Sequence, residues 1–231
     1  MVIKEAFENI PVLQKMNDET KRRAISYATI RTFQKGEFIF MDKEEVKQVY
    51  FVVKGYVSVF KVNKKLDKKV IFLYAAGEML NEVILQEPIA SVSCETLSEV
   101  MVLTFKRKAL LTLMEQDFTL SKAVMDSMAL KVRRLYHQLG NTSNMMNLEK
   151  QVAAKLWKLA RDFGVTDKNE LQINFDLSIT FLADMLGSKR ESISRVVKCL
   201  TEKEIIKVQK NRFYICDKER LIQLIKCEKG L

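Results

Sequence analysis

The 231-residue sequence predicts an α+β protein with a β-rich N-terminal part, one long helix, and a C-terminal part of short helices closed by a small hairpin. Three observations predict it. Between about Thr32 and Phe105, β-branched and aromatic residues come in short runs separated by single glycines. From Asp117 to about Gly140 the apolar residues recur instead every three or four positions. After Leu177 come a short helical segment, a bend at Gly187, a basic helical segment and an alternating basic stretch, in close order.

Bulk properties agree with two ordered domains. A chain of this length can bury two cores, and 48% apolar residues, 29% charged residues and two prolines are the composition of a globular protein. There is no apolar run long enough for a membrane span, and Lys4 and Glu5 bring charge too early for a signal peptide, so a cytoplasmic location is expected. Cys94, Cys199, Cys216 and Cys227 contain no C-x-x-C pair, which favours reduced thiols over a disulfide framework or a metal site. The net charge of +10 suits a polyanionic partner but names no activity.

In chain order, residues 1–116 form the first domain. Phe38–Phe40, Val49–Val53, Tyr56–Val62, Val70–Tyr74 and Val100–Thr104 read as strands. Gly36, Gly55 and Gly77 fall between runs, where a positive φ is often needed, which suggests an antiparallel β-roll built from hairpins. The charged segment Asn63–Lys69 is the expected hairpin tip. Residues 117–144 form a long helix and hinge, with an apolar stripe of Leu120, Val124, Met128, Val132, Leu135 and Leu139. That stripe is narrow, like a coiled-coil seam, so pairing with a second copy as a homodimer is expected; packing on its own first domain is the alternative. Lys131, Arg133 and Arg134 read as the solvent side of this helix, and Gly140–Asn144 as the hinge.

Residues 145–231 form the last domain. Leu148–Arg161 reads as a helix ended by Gly164. Ser178 can cap the next helix, Leu182, Met185 and Leu186 give it an inner face, and Gly187 supplies the bend. In the following helix Ile193, Val196, Val197 and Leu200 lie on one side, and Arg190, Glu191, Ser194, Arg195 and Lys198 on the other. Arginine, glutamate and serine on a free face can read base edges in a major groove. A solvated basic face, with Ser188 and Glu191 forming a capping box, accounts for the same residues. The stretch Glu204–Cys216 alternates around Lys210-Asn211 as a hairpin. Helix, bend, basic helix and basic hairpin together describe a winged helix-turn-helix, with Lys189, Lys198, Lys207, Lys210 and Arg212 placed for phosphates.

On these segments the whole chain resembles the family of the cyclic-AMP receptor protein and the fumarate-nitrate-reduction regulator (CRP/FNR). Lys35–Ile39, Val49–Val57 and Ala76–Leu80 resemble parts of its cyclic-nucleotide-binding-like roll, and Arg190-Glu191-Ser192-Ile193-Ser194-Arg195 resembles its DNA-reading helix. The resemblance implies a homodimeric transcription regulator that reads double-stranded DNA with an inverted repeat, Glu191 and Arg195 contacting bases and Arg190 and Ser194 adding contacts. It implies RNA polymerase as a further partner if the protein is an activator, and an effector pocket at Leu80, Glu82, Ile89 and Ser91.

The chain also departs from the pattern. The family's cyclic-AMP pocket uses a glycine-glutamate pair and an arginine followed by a small hydroxyl residue; here only Glu82 is kept, and Pro88 and Ile89 fall near the arginine and serine positions. A small effector other than cyclic AMP is therefore expected. The first cysteine is Cys94, too late and too isolated for the iron-sulfur cluster of the fumarate-nitrate branch, and His137 is the single histidine, so neither cluster nor haem is expected as a cofactor. Catalytic signatures are absent, which argues against an enzyme. The remaining rival is a small-molecule sensor that acts through a protein partner without binding DNA; the basic recognition face argues against it.

Overall fold

The computed structural model describes residues 3–64, 66–142, 147–167 and 170–226. It divides into two compact units, residues 1–61 with 71–143 and residues 62–70 with 144–231.

In the first unit α1 (Ile3–Glu8), α2 (Pro11–Gln14) and α3 (Asp18–Tyr27) precede the strands β1 (Thr29–Phe33), β2 (Phe38–Phe40), β3 (Gln48–Lys54), β4 (Val57–Val62), β5 (Lys68–Tyr74), β6 (Ser93–Thr96) and β7 (Val100–Lys106). Then follow α4 (Arg107–Gln116) and α5 (Phe118–Thr142). The strands form two sheets, ordered β1-β7-β3 and β2-β6-β4-β5. In the first, β7 lies antiparallel between its neighbours, with Thr29 opposite Thr104 and Val52 opposite Val102. Five consecutive residues of β3, Val49 to Val53, are buried. An antiparallel strand alternates when one face is wet, so this unbroken apolar run means that both faces are covered. Phe105 of β7 shows how: it meets Phe51 of β3 at 5.9 Å and Phe7 of α1 at 6.0 Å, both edge to face.

β6 was invisible in the sequence because Ser93, Cys94, Glu95 and Thr96 lack a β-branched run; pairing with β2 and β4 makes it a strand. Cys94 is a buried free thiol there. Asp117 immediately precedes α5, and its carboxylate accepts from the amides of Thr119 (3.0 Å) and Leu120 (3.3 Å), and from Asn17 N, 2.9 Å away at the start of α3.

The second unit contains α6 (Leu148–Phe163), β8 (Gly164–Asp167), β9 (Glu170–Ile173), α7 (Ile179–Leu186), α8 (Arg190–Glu202), β10 (Ile206–Gln209), β11 (Arg212–Ile215) and α9 (Lys218–Lys226). Its sheet runs β10-β11-β9-β8. Leu156, Leu182, Ile193, Leu200, Phe213 and Leu221 are fully buried and hold helices and sheet together. Gly164 does end α6, but not as a left-handed cap. Its φ is −85° and it starts β8; a Cβ there would lie 2.0 Å from the Ala160 carbonyl oxygen, so the close approach of the backbone is what requires glycine. The expected hinge needs correction: α5 continues through Gly140, Asn141 and Thr142, and Ser143 and Asn144 lie outside the described residues, as does Cys227.

Candidate functional site

The helix pair α7–α8 is set by two local devices. The hydroxyl of Ser178 accepts from Phe181 N at 3.0 Å, satisfying one of the free amides at the start of α7. At its end Gly187 adopts φ +61°, and the amides of Gly187 and Ser188 both turn back onto the Ala183 carbonyl. α8 then starts with Lys189 as its N-cap, without a side-chain cap hydrogen bond, so the Ser188–Glu191 capping box does not form. Glu191 stays exposed in the first turn. Ile193, Val197 and Leu200 anchor the inner face. Glu191, Arg195 and Lys198 are exposed along the outer face at three- and four-residue spacing, Ser194 is half-buried on its flank, and Arg190 is exposed at the first helical residue. Val196, assigned to the inner face from the sequence, is only half-buried.

The wing is a two-residue hairpin. Gln209 faces Arg212 across the turn, and Lys210 and Asn211 take φ +49° and +61°, the conformation a twisted hairpin favours. Asparagine tolerates it; lysine is strained there. The Asn211 carbonyl accepts from Leu177 N at 2.7 Å, which fixes the tip to the segment entering α7. Of the predicted phosphate contacts, Lys189 and Lys210 are exposed. Lys198 stands 3.8 Å from Glu202 and Arg212 3.6 Å from Asp176, both well-exposed pairs worth little. Lys207 is paired more closely. Its ammonium lies 2.9 Å from Glu170 Oε2 and 4.9 Å above the Tyr214 ring. The hydrogen bond that Lys207 donates to Glu170 holds the carboxyl below its usual range and raises the lysine above its own. Its partner is thus inside the domain.

The long helix also differs from the sequence reading. Leu120 and Val124 are fully buried and Met128 is partly so, all packed into the core of the chain's own roll. They are not a free seam. Val132, Leu135 and Leu139 are exposed, and with Phe118, Met125 and Tyr136 they are apolar side chains open to solvent. Met125, Ala129, Val132, Tyr136 and Leu139 follow one another at spacings of four and three, a coiled-coil period on a face next to the buried one. His137 is exposed.

Facing the roll, the second half of α5 is polar. Ser127 Oγ donates to Glu82 Oε1 at 2.8 Å, Lys131 Nζ to Glu82 Oε2 and to the Met79 carbonyl, both at 2.5 Å, Arg134 to Glu78 at 2.8 Å, and Gln138 to the Ile71 carbonyl at 2.9 Å. Lys131 also sits 4.5 Å above the Tyr74 ring. Burial lowers its pKa, opposed by Glu82, and burial likewise raises the Tyr74 phenol. The segment carrying Glu82, a turn of 3-10 helix (Glu82–Leu85), is held from below by Arg107, whose guanidinium donates to the carbonyls of Ile84, Leu85 and Gln86. Of the four predicted pocket residues, Glu82 and Leu80 are buried in this unit; Ile89 and Ser91 are exposed, on a segment whose backbone bonds run to Lys43 and Glu44. Ser127, Lys131 and Tyr74 were missed. The available signal was Lys131 itself, which falls seven residues after Val124, on the core-facing row.

Each of the two units matches a known domain family. Residues 30–117 match the description "Cyclic nucleotide-binding domain", and residues 150–224 match "Crp-like helix-turn-helix domain". The chain belongs to the CRP/FNR family. Within it, the chain is 22% identical over 190 residues to the "CRP-like cAMP-activated global transcriptional regulator" of Mycobacterium tuberculosis, covering 82% of this chain and 84% of that protein. It is 25% identical over 199 residues to the "Global nitrogen regulator" of a Nostoc species, covering 80% and 84%. Among solved structures, a CRP-family transcriptional regulator of Thermus thermophilus superposes with a TM-score of 0.75 at 21% identity, over 85% of this chain and 97% of that one. FixK2 of Bradyrhizobium japonicum superposes with 0.74 at 20% identity, over 87% and 99%. Members of the CRP/FNR family are DNA-binding transcription regulators with an effector domain, not enzymes, and this chain has both parts in that order.

Proposed function

We propose that the protein is a homodimeric regulator that reads an inverted repeat in double-stranded DNA with α8, under the control of a sensor roll that does not use cyclic AMP. The observation that carries the DNA reading is the exposed row Glu191, Arg195 and Lys198 on a helix whose opposite face, Ile193, Val197 and Leu200, is buried in the domain. Arg195 pairs bidentately with guanine and Glu191 accepts from the cytosine amine of the same base pair; Arg190 and Ser194 tune flanking positions. Lys189 and Lys210 neutralise phosphates, with Lys198 and Arg212 exchanging weak exposed carboxylate partners for phosphates. Lys207 would have to leave Glu170, 2.9 Å away, to do the same.

The dimer is supported by the exposed row Met125, Ala129, Val132, Tyr136 and Leu139, because contiguous apolar side chains on a helix are stable in water when a partner covers them. Rejection of cyclic AMP is supported by Pro88 and Ile89 standing near the positions of the phosphate-binding pair, and by the occupied carboxylate of Glu82. We further propose that no iron-sulfur cluster or haem takes part, that the protein works in the cytosol, and that RNA polymerase is a partner if it activates. Selection of bound sequences from random DNA, followed by fluorescence anisotropy at fixed salt, tests the reading. An inverted repeat bound at least about a thousandfold more tightly than random duplex is the expected result; the absence of any preferred sequence sinks it in favour of a sensor that acts on a protein.

A further inference from the structure

The buried group on which α5 rests has the chemistry of a cation cage. Glu82 is 5% exposed and offers both carboxylate oxygens inward, one to Ser127 and one to Lys131. The Met79 carbonyl supplies a second acceptor for the same ammonium, and the Tyr74 ring covers it at 4.5 Å. A carboxylate, a carbonyl and an aromatic face are what a desolvated primary ammonium needs, whereas a phosphate or carboxylate brought to this place meets Glu82 as a like charge. The neighbouring cation, Arg134, is bonded to Glu78 at 2.8 Å.

We propose that the effector pocket of this chain is a primary-ammonium site, filled by its own Lys131, so that the ligand class it accepts is an aliphatic amine and the docked helix needs no free ligand. Lys131 is delivered by α5 itself, so it competes at the effective concentration of a tethered group, and a free amine displaces it poorly. Removing the lysine side chain opens the cage to an amine in solution. This names the ligand chemistry of the site in the sensor described above and rests on that reading only for its DNA-binding readout.

The test compares the full-length native protein with Lys131→Ala by hydrogen exchange over residues 118–142, with n-butylammonium, butyrate and n-butanol as probes. In the native protein exchange stays slow and no probe changes it. In Lys131→Ala, where Glu82 is left buried without its cation, exchange is expected to quicken by at least about tenfold. Butylammonium restores slow exchange; butyrate and butanol do not. Specific DNA binding by anisotropy should fall and recover in parallel. If the native protein binds no DNA, the exchange results still decide the cage, so the two readings fail separately. Slow exchange in Lys131→Ala, rescue by butyrate, or no rescue by butylammonium overturns the proposal. If Lys131→Ala does not fold, Glu82→Gln decides: it removes the anion at constant shape, so exchange as slow as in the native protein overturns the cage, and faster exchange supports it.

Discussion

Arg195 and Lys210 differ in what they can recognise. Arg195 stands on the outer face of a helix anchored by Ile193 and Val197, so its guanidinium can meet one base edge in a fixed geometry. Losing such a contact costs roughly 1–3 kcal/mol of discrimination, and Arg195→Ala should weaken specific binding by about ten- to hundredfold with little change on random DNA. An unchanged specific-to-random ratio would assign base reading to another element. Lys210 sits at a turn tip with φ +49° and can offer only a charge. Lys210→Ala should weaken all sequences alike and lower the slope of log affinity against log salt by about one. Lys207 was read from the sequence as equivalent to Lys210, because charge and alternation place both on one hairpin. The difference is Glu170, which arrives from β9, far away in the chain.

At the scale of elements, α5 divides into two halves with different partners. Leu120 is fully buried in the roll, and Leu120→Ala should destabilise the protein by about 2–5 kcal/mol in chemical denaturation. Val132 and Tyr136 are exposed, so Val132→Glu with Tyr136→Glu should leave the fold intact and convert dimers to monomers in analytical ultracentrifugation. Persistent dimers would place the interface elsewhere. The start of the helix adds a pH dependence. Burial raises the Asp117 carboxyl, but the hydrogen bonds from Thr119, Asn17 and Leu120 outweigh it and hold the group below its ordinary value of 3.8. A depressed carboxyl contributes stability that is fully present above that value and is lost as pH falls through the lower folded-state value. Asp117→Ala should therefore cost about 1–2 kcal/mol at neutral pH, and the difference from the native protein should shrink in acid. A difference that stays constant down to the acid transition would remove the carboxylate from this role.

For the whole molecule, the sensor and reader units are of recognised type, and the sensor's polar interior bears on what it can bind. Glu82 is bonded to Ser127 and Lys131, so a cyclic phosphate would have to displace a buried ion pair and then lie beside a carboxylate. Titration calorimetry with cyclic AMP should give no binding in the micromolar range. A low-micromolar dissociation constant would show that the shortened loop near Pro88 still builds a phosphate site.

The sequence by itself determined the order of the parts, the strands β2, β3, β4, β5 and β7, the positions of α5, α7 and α8, and the hairpin at Lys210-Asn211. These are set by local period, capping and turn chemistry, all carried by residues within one or two turns of each other. Tertiary structure decided which face of α5 is buried, because Leu120, Met128 and Val132 are all apolar and only the roll distinguishes them. It decided that Ser93–Thr96 is a strand, since pairing with β2 and β4 overrides a weak propensity. It also decided the site. Local period places Lys131 on the core-facing row, but its partners Glu82, Met79 and Tyr74 come to it from about fifty residues away, and no local pattern names them.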